Sequence, residues 1–284
     1  GYSNPLTPMK QIIEDTLFGA NVTVFKKTSA APVQLSASYK LDSLINAGVS
    51  IINFFGHSAF STLEFAIDNP SSYQNFGKYP LFISNGCFSG NLFEDPAQNN
   101  NQRGLSERFV VPDAGDPQNI GSIAYISTSD LGISSGLNYY TNYLYKNFSQ
   151  THYGSTLGEC IRIGVDTLLR NATYASIDFI ATGEQMLLNG DPAIRINPHS
   201  KPDYVIEPSQ ISLNPSTINF ESGNTFHVMF SVENIGKQKN DSINIMVLRY
   251  FPKADLTVGS TPTLITTKRI KAPAYKESFD VVAT

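Results

Sequence analysis

Residues 53–60 read NFFGHSAF and residues 83–90 read ISNGCFSG. In each stretch a run of apolar strand formers stops at a glycine, and the next residue carries chemistry: His57 in the first, Cys87 in the second. Followed outward, the runs are VSIINFF (49–55) and PLFIS (80–84), and a third of the same kind, GSIAYIS, occupies 121–127. Continuous apolar runs of this length are expected of strands buried on both faces at the centre of a parallel sheet. Helical patterns surround them. Residues 8–18 read as a helix stopped by Gly19, NVTVF (21–25) as a strand, and LDSLINAG (41–48) as a short helix closed by glycine. LNYYTNYLYKNF (137–148), TLGECIRIGVDTLLR (156–170) and the stretch ASIDFIATGEQMLL (175–188) are three further helical segments. Asn189-Gly-Asp-Pro then turns the chain into AIRI (193–196), read as the last strand. This alternation predicts an α/β domain with a mainly parallel sheet covered by helices.

The pattern changes at NPHSKPDY (197–204), where two prolines mark a linker. In TFHVMFSVEN (225–234) and SINIMVLRY (242–250) apolar and polar residues alternate, as in half-buried antiparallel strands. With ISL (211–213), INF (218–220), TLITT (263–267) and FDVVAT (279–284), the second region is expected to be an all-β sandwich of immunoglobulin type. FDVVAT runs straight into the C-terminus, so a last sandwich strand is expected to lie beyond it. The reading gives two domains, 1–199 and 200–284.

The 284 residues include 41% hydrophobic and 11% aromatic side chains, enough for a core in each domain. No apolar run reaches the ~20 residues of a membrane span, and the N-terminus lacks a signal-peptide pattern, which points to a piece of a longer, processed precursor. Twenty basic against 24 acidic residues give a net charge of −4 without a Lys/Arg cluster, which excludes nucleic acid as the expected partner. A polar but weakly charged composition, 15% charged, favours an extracellular location.

The two cysteines differ in setting. Cys160 shares a helical face with Leu157, Ile161, Val165, Leu168 and Leu169 and reads as a core thiol. Cys87 sits between glycines. If the runs ending at His57 and Cys87 are neighbouring parallel strands, their carboxyl ends present an imidazole and a thiol at one rim, where α/β sheets bind ligands. A histidine there can take the thiol proton, and the thiolate can attack a carbonyl. The backbone N–H groups of Ser58 and Cys87 are the natural oxyanion donors. The plainer reading is a hydrogen-bonded histidine and a packed cysteine. His152, His199 and His227 read as surface residues, and no zinc-ligand spacing or phosphate loop occurs. Thiol chemistry requires no cofactor. Glu94 and Asp95, in NLFEDPAQNNNQR (91–103), suit a structural calcium or a substrate-facing loop, with a solvated loop as the plainer reading.

INFFGHSAFSTLEFAIDNP (52–70) followed by YPLFISNGCFSGNLF (79–93) resembles the gingipain family of cysteine peptidases, in particular the sortase members of the Bacteroidetes type IX secretion system. The resemblance extends through GSIAYIST, LGE and LLNGDPAIRI and covers most of residues 1 to about 200. It implies a caspase-like fold lacking its N-terminal part and followed by an immunoglobulin-like domain, with His57 as the catalytic histidine and Cys87 as the nucleophile. It also implies that Ser127, Thr128, Ser129 and Asp130 line the pocket for the residue before the scissile bond. There Asp130 either selects a basic side chain or caps a turn. The family's best-known peptidases have Gly where Ser58 stands, so the serine side chain is expected to crowd the oxyanion position. They also place an acid behind the histidine from an earlier region; Glu14, Asp15 and Asp42 are the upstream acids here.

Two functions follow from the resemblance: a secreted or outer-membrane-associated cysteine endopeptidase or transpeptidase acting on protein substrates, or a degenerate homologue that serves as a binding or scaffold module of the secretion machinery. A third is a structural fragment with an adhesive sandwich.

Overall fold

The computed structural model describes residues 5–28, 30, 38–93, 102–111, 121–171, 176–214, 225–250 and 263–283. The chain divides into two compact units, one of Gly1–Ile12 with Val22–Ile196 and the other of Ile13–Asn21 with Asn197–Thr284. No helix among the described residues is long and apolar enough to cross a membrane.

The first unit is built on a four-stranded sheet in the order β1 (Ile51–Phe55), β2 (Leu81–Asn85), β3 (Ala124–Thr128) and β4 (Met186–Gly190). β1 pairs with β2, and β2 with β3, in parallel; β4 runs antiparallel to β3. β2 and β3 are buried at every residue, as their unbroken apolar runs predict. β1 has an equally apolar sequence but ends the strand order, and Ile51, Ile52 and Asn53 are only half-buried.

Helices cover both faces, and the period-2 rule assigns each residue of β2 to one of them. On one side Phe82 stacks on Tyr125, ring centroids 4.7 Å apart, and meets Phe109 of α3 (Leu105–Val110) at 4.8 Å. Leu63, Ile67 and Tyr73, from the segment between β1 and β2, complete this core. On the other side α4 (Ser134–Lys146) buries Leu137, Tyr140 and Leu144, and α5 (Leu157–Asn171) buries Leu157, Cys160 and Leu168. Among the remaining helices, α1 (Leu6–Glu14) comes first in the chain, and α2 (Ser38–Ala47) ends as expected at Gly48, in the left-handed region at φ 104°, where the glycine N–H caps the carbonyls of Leu44 and Ile45.

Two strand expectations fail. NVTVF (21–25) has no strand partner among the described residues and is irregular. The last strand is not AIRI but Met186–Gly190, directly after a helix over Ile177–Gln185 that the sequence pattern extends through Leu188. Pairing with β3 overrides the helical pattern of MLL, and 193–196 is irregular.

The second unit consists of antiparallel pairs. β5 (Tyr204–Val205), β6 (Ser212–Asn214) and β10 (Lys276–Ala283) all pair with β7 (Phe226–Asn234), and β8 (Ser242–Arg249) pairs with β9 (Thr263–Lys271) as a separate two-stranded sheet. Phe226, Val228, Phe230 and Val232 of β7 face inward at alternate positions and join Ile245 of β8, Ile270 of β9 and Val281 of β10 in one core. The two sheets thus share an apolar interior. INF (218–220) lies outside the described residues.

Candidate active site

Phe55, the last residue of β1, is in register with Asn85, the last of β2. His57 and Cys87 each come two residues later, so they hold equivalent places beyond neighbouring parallel strands, whose spacing is about 4.8 Å. The Gly56 N–H continues the pairing past the strand end to the Asn85 carbonyl, 3.1 Å away.

Asn85 is a buried polar residue that the sequence reading passes over. Its amide donates to Asn53 Oδ1 at 2.8 Å and to the Phe54 carbonyl at 3.3 Å, and its oxygen accepts from Thr141 Oγ1 of α4 at 2.6 Å. A buried amide satisfied at both ends fixes its surroundings. Here it ties β1, β2 and α4 together just before the chain breaks toward Cys87. The sequence signal is slight: one Asn inside the first apolar run, at 53, and one directly after the second, at 85.

The thiol turn is held from several sides. Thr128 Oγ1 donates to the Gly86 carbonyl and, at 3.0 Å, to that of Asp130. The Phe88 N–H donates to the Asp130 carbonyl at 3.0 Å and the Gly90 N–H to the Thr128 carbonyl at 2.8 Å. These bonds hold Phe88 at φ 58°, an unusual conformation for a bulky residue, at a cost of about 1–2 kcal/mol. A side chain at Gly90 would have no room, because a Cβ there would stand 2.3 Å from Ser127 Oγ. Cys87 is half-buried, and its Sγ accepts from the Gly132 N–H at 3.3 Å.

The histidine turn is anchored through its backbone. The His57 N–H donates to Glu64 Oε1 at 3.2 Å, the Glu64 N–H donates back to the His57 carbonyl at 3.1 Å, and Glu64 Oε2 pairs with Lys27 Nζ at 3.0 Å. Gly56 is required beneath this contact: a Cβ there would lie 1.9 Å from Glu64 Oε1. The imidazole is exposed and makes no hydrogen bond among the described residues, so no carboxylate holds it directly. The acid nearest in bonding terms is Glu64, downstream of the histidine and bonded to its backbone. The resemblance directs attention upstream and gives no reason to look there.

The Ser58 Oγ is turned toward the turn at 86–90 and donates to the Cys87 carbonyl at 2.7 Å. The backbone N–H groups of Ser58 and Cys87 donate to nothing among the described residues.

Of the four residues expected in the substrate pocket, Ser127 and Thr128 are 1% and 0% exposed and face the interior. Ser129 is half-buried, and Asp130 is exposed, with Oδ1 capping the Leu131 N–H at 2.7 Å. His152 is half-buried and His199 exposed, and His227 bonds Asp280 of its own unit at 2.9 Å. Burial, with Glu159 beside it, pushes the Cys160 thiol up to about 11. No group of three or more His, Cys, Asp or Glu side chains suited to a metal occurs among the described residues. Glu94 and Asp95 lie outside them.

Comparison with known proteins gives one family. The profile of peptidase family C25 matches residues 5–197. Among solved structures, the complex of Porphyromonas gingivalis RgpB pro- and mature domains is 15% identical, covering 84% of this chain and 49% of its own, with TM-score 0.48. The Arg specific cysteine proteinase gingipain R (RGPB) is 14% identical over 84% of this chain and 48% of its own, also with TM-score 0.48. A third, described as a protease, is 14% identical over 85% of this chain and 56% of its own, with TM-score 0.43. The chain thus spans about half the length of these structures. A search of curated proteins returns no match.

Proposed function

Because the chain belongs to peptidase family C25, we propose that residues 1–199 form a caspase-like cysteine peptidase domain in which His57 is the general base and Cys87 the nucleophile, and that residues 200–284 form an immunoglobulin-like domain. The observation that carries this reading is the equivalent placement of His57 and Cys87 beyond paired parallel strands, beside two backbone donors that have no acceptor among the described residues.

In the proposed reaction His57 removes the Cys87 proton as Sγ attacks the carbonyl carbon of a peptide bond. The oxygen becomes an oxyanion, for which the N–H groups of Cys87 and Ser58 serve as donors. Collapse breaks the C–N bond, and the imidazolium gives its proton to the departing amine. The acyl group stays on sulfur until water, or a second amine, attacks and Cys87 recovers its proton. Water gives hydrolysis; an amine gives sortase-like transfer. The substrates are secreted proteins, and the place of action is the cell surface or outer membrane, alongside components of a secretion system. Asp130 and Ser129 form the accessible edge of the pocket for the residue preceding the cleaved bond.

One observation favours the second reading, a non-catalytic scaffold: the His57 ring has no orienting carboxylate among the described residues, and an imidazole without one is a weaker base. Incubation with a mixture of unfolded proteins, with and without glycine amide, separates the readings by mass spectrometry of the products. New termini that vanish in Cys87→Ala and in His57→Ala support the peptidase, and amide-capped termini identify transfer. Intact substrates in all three cases leave only the scaffold.

A further inference from the structure

Ser58 carries two groups with different tasks. Its N–H has no acceptor among the described residues, as an oxyanion donor requires, while its hydroxyl reaches across to the Cys87 carbonyl, 2.7 Å away. Among the described residues this is the only hydrogen bond that joins the turn at 57–60 to the turn at 86–90. The space it occupies is kept free by Gly86. A Cβ on that residue would stand 2.1 Å from Ser58 Oγ and 2.8 Å from the Gly56 carbonyl oxygen.

The His57 ring has no hydrogen-bond partner among the described residues, so its position follows from that of its turn. Glu64 fixes that turn from behind, through the His57 N–H and carbonyl. Ser58 fixes it from the front, and onto the nucleophile's own carbonyl. Thr128 and Gly132 hold the thiol turn from its far side, through the Gly86 carbonyl and Cys87 Sγ. The hydroxyl therefore closes a frame in which base and thiol are each anchored elsewhere and tied to one another at a single point.

We propose that the Ser58 hydroxyl is a positioning residue that couples the His57 turn to the Cys87 turn, so that His57 acts on the thiol only while the Ser58–Cys87 hydrogen bond is made. The proposal rests on the peptidase reading and assigns to the Ser58 hydroxyl, as distinct from the Ser58 N–H, a role that acts through the pair rather than on substrate.

The test is a double-mutant cycle read by iodoacetamide alkylation of Cys87 at pH 6.5, followed by peptide mass spectrometry, and it needs no known substrate. With Ser58 in place, His57→Ala is expected to slow alkylation about 100-fold, the scale of general-base assistance. In Ser58→Ala the same histidine change is expected to matter less than about threefold, a failure of additivity that a merely structural serine would not produce. Ser58→Thr keeps the hydroxyl and is expected to restore most of the histidine dependence. Circular dichroism melts confirm that each variant compared is folded. A histidine effect equally large with and without the hydroxyl overturns this proposal and leaves the peptidase reading standing. No histidine effect in the protein with Ser58 overturns the peptidase reading and this proposal together.

Discussion

Cys87 stands half-buried at the end of β2 with a backbone N–H aimed at its sulfur, whereas Cys160 is fully enclosed on α5 among apolar side chains. The side chain is the same in both, so the difference lies in what the fold builds around it. Around Cys87 the backbone is crowded and bent: glycines without room for a Cβ, a phenylalanine at positive φ, and carbonyls held from both sides. Around Cys160 the backbone is regular helix, and the Asn147 amide donates to the Cys160 carbonyl at 3.0 Å. A reactive thiol needs access and polar neighbours, while a packing thiol needs neither.

The largest expected effect is in accessibility. Under native conditions at pH 7.5, iodoacetamide is expected to modify Cys87 at least about 1,000-fold faster than Cys160, because reaching the helix thiol requires opening of the core. In 6 M guanidinium, where both are exposed, the two rates should agree within about twofold. Peptide mass spectrometry over a time course reads both sites at once. A native ratio near that of the unfolded chain would remove the contrast between the two regions.

The next effect is in pH dependence. Burial holds the folded Cys160 thiol up to about 11, against about 8.5 in an unfolded chain. Below pH ~8.5 both states keep the proton and stability is at its full value. Between the two values the unfolded chain ionises while the folded one does not, so stability falls as pH rises, by about 2 kcal/mol at pH 10. Burial also pushes the Tyr125, Tyr140 and Tyr145 hydroxyls upward, which adds loss of the same sign at higher pH. Urea unfolding of the parent and of Cys160→Ala at pH 8 and pH 10 isolates the thiol. The parent is expected to lose more between the two, and equal losses would show that Cys160 ionises normally in the folded protein.

The same contrast explains what could be read from the sequence. The apolar runs of β2 and β3, the helical face of Cys160 and the two breaks at glycine are local patterns, and local patterns survive in a string of letters. β4 does not show in the sequence because MLL reads equally well as helix, and only its pairing with β3 decides. β1 reads as a central strand, although it ends the strand order among the described residues, because an edge strand and a central one can share a composition and the number of neighbours is not written in either. At the site, the direction of the Ser58 hydroxyl depends on the side chain that Gly86 lacks, and the anchoring of His57 depends on Glu64 folding back across the turn. The bonds of Asn85 to Asn53 and Thr141 likewise join three separate elements. Each is a fact about pairs brought together by the fold, and no periodicity reports them.

The smallest expected effect tests whether the glycines of the two regions differ as their thiols do. Gly164 lies one helical turn after Cys160, and a Cβ there would come no closer than 3.7 Å to any atom, at the Asn147 amide. Nothing in the folded state resists an alanine at that position, while the unfolded chain loses freedom it would otherwise have to give up on folding. Gly164→Ala is therefore expected to stabilise the protein by about 0.5–1 kcal/mol. Gly86→Ala places the same methyl group 2.1 Å from Ser58 Oγ and 2.8 Å from the Gly56 carbonyl oxygen. The hydroxyl can swing away from that clash, but the backbone oxygen cannot, so a destabilisation of about 1–3 kcal/mol is expected. Urea titrations of both variants at pH 7.5 should thus give changes of opposite sign. Two changes of the same sign would mean that the thiol turn is no more tightly built than the helix, and that Ser58 is not confined by the space Gly86 leaves it.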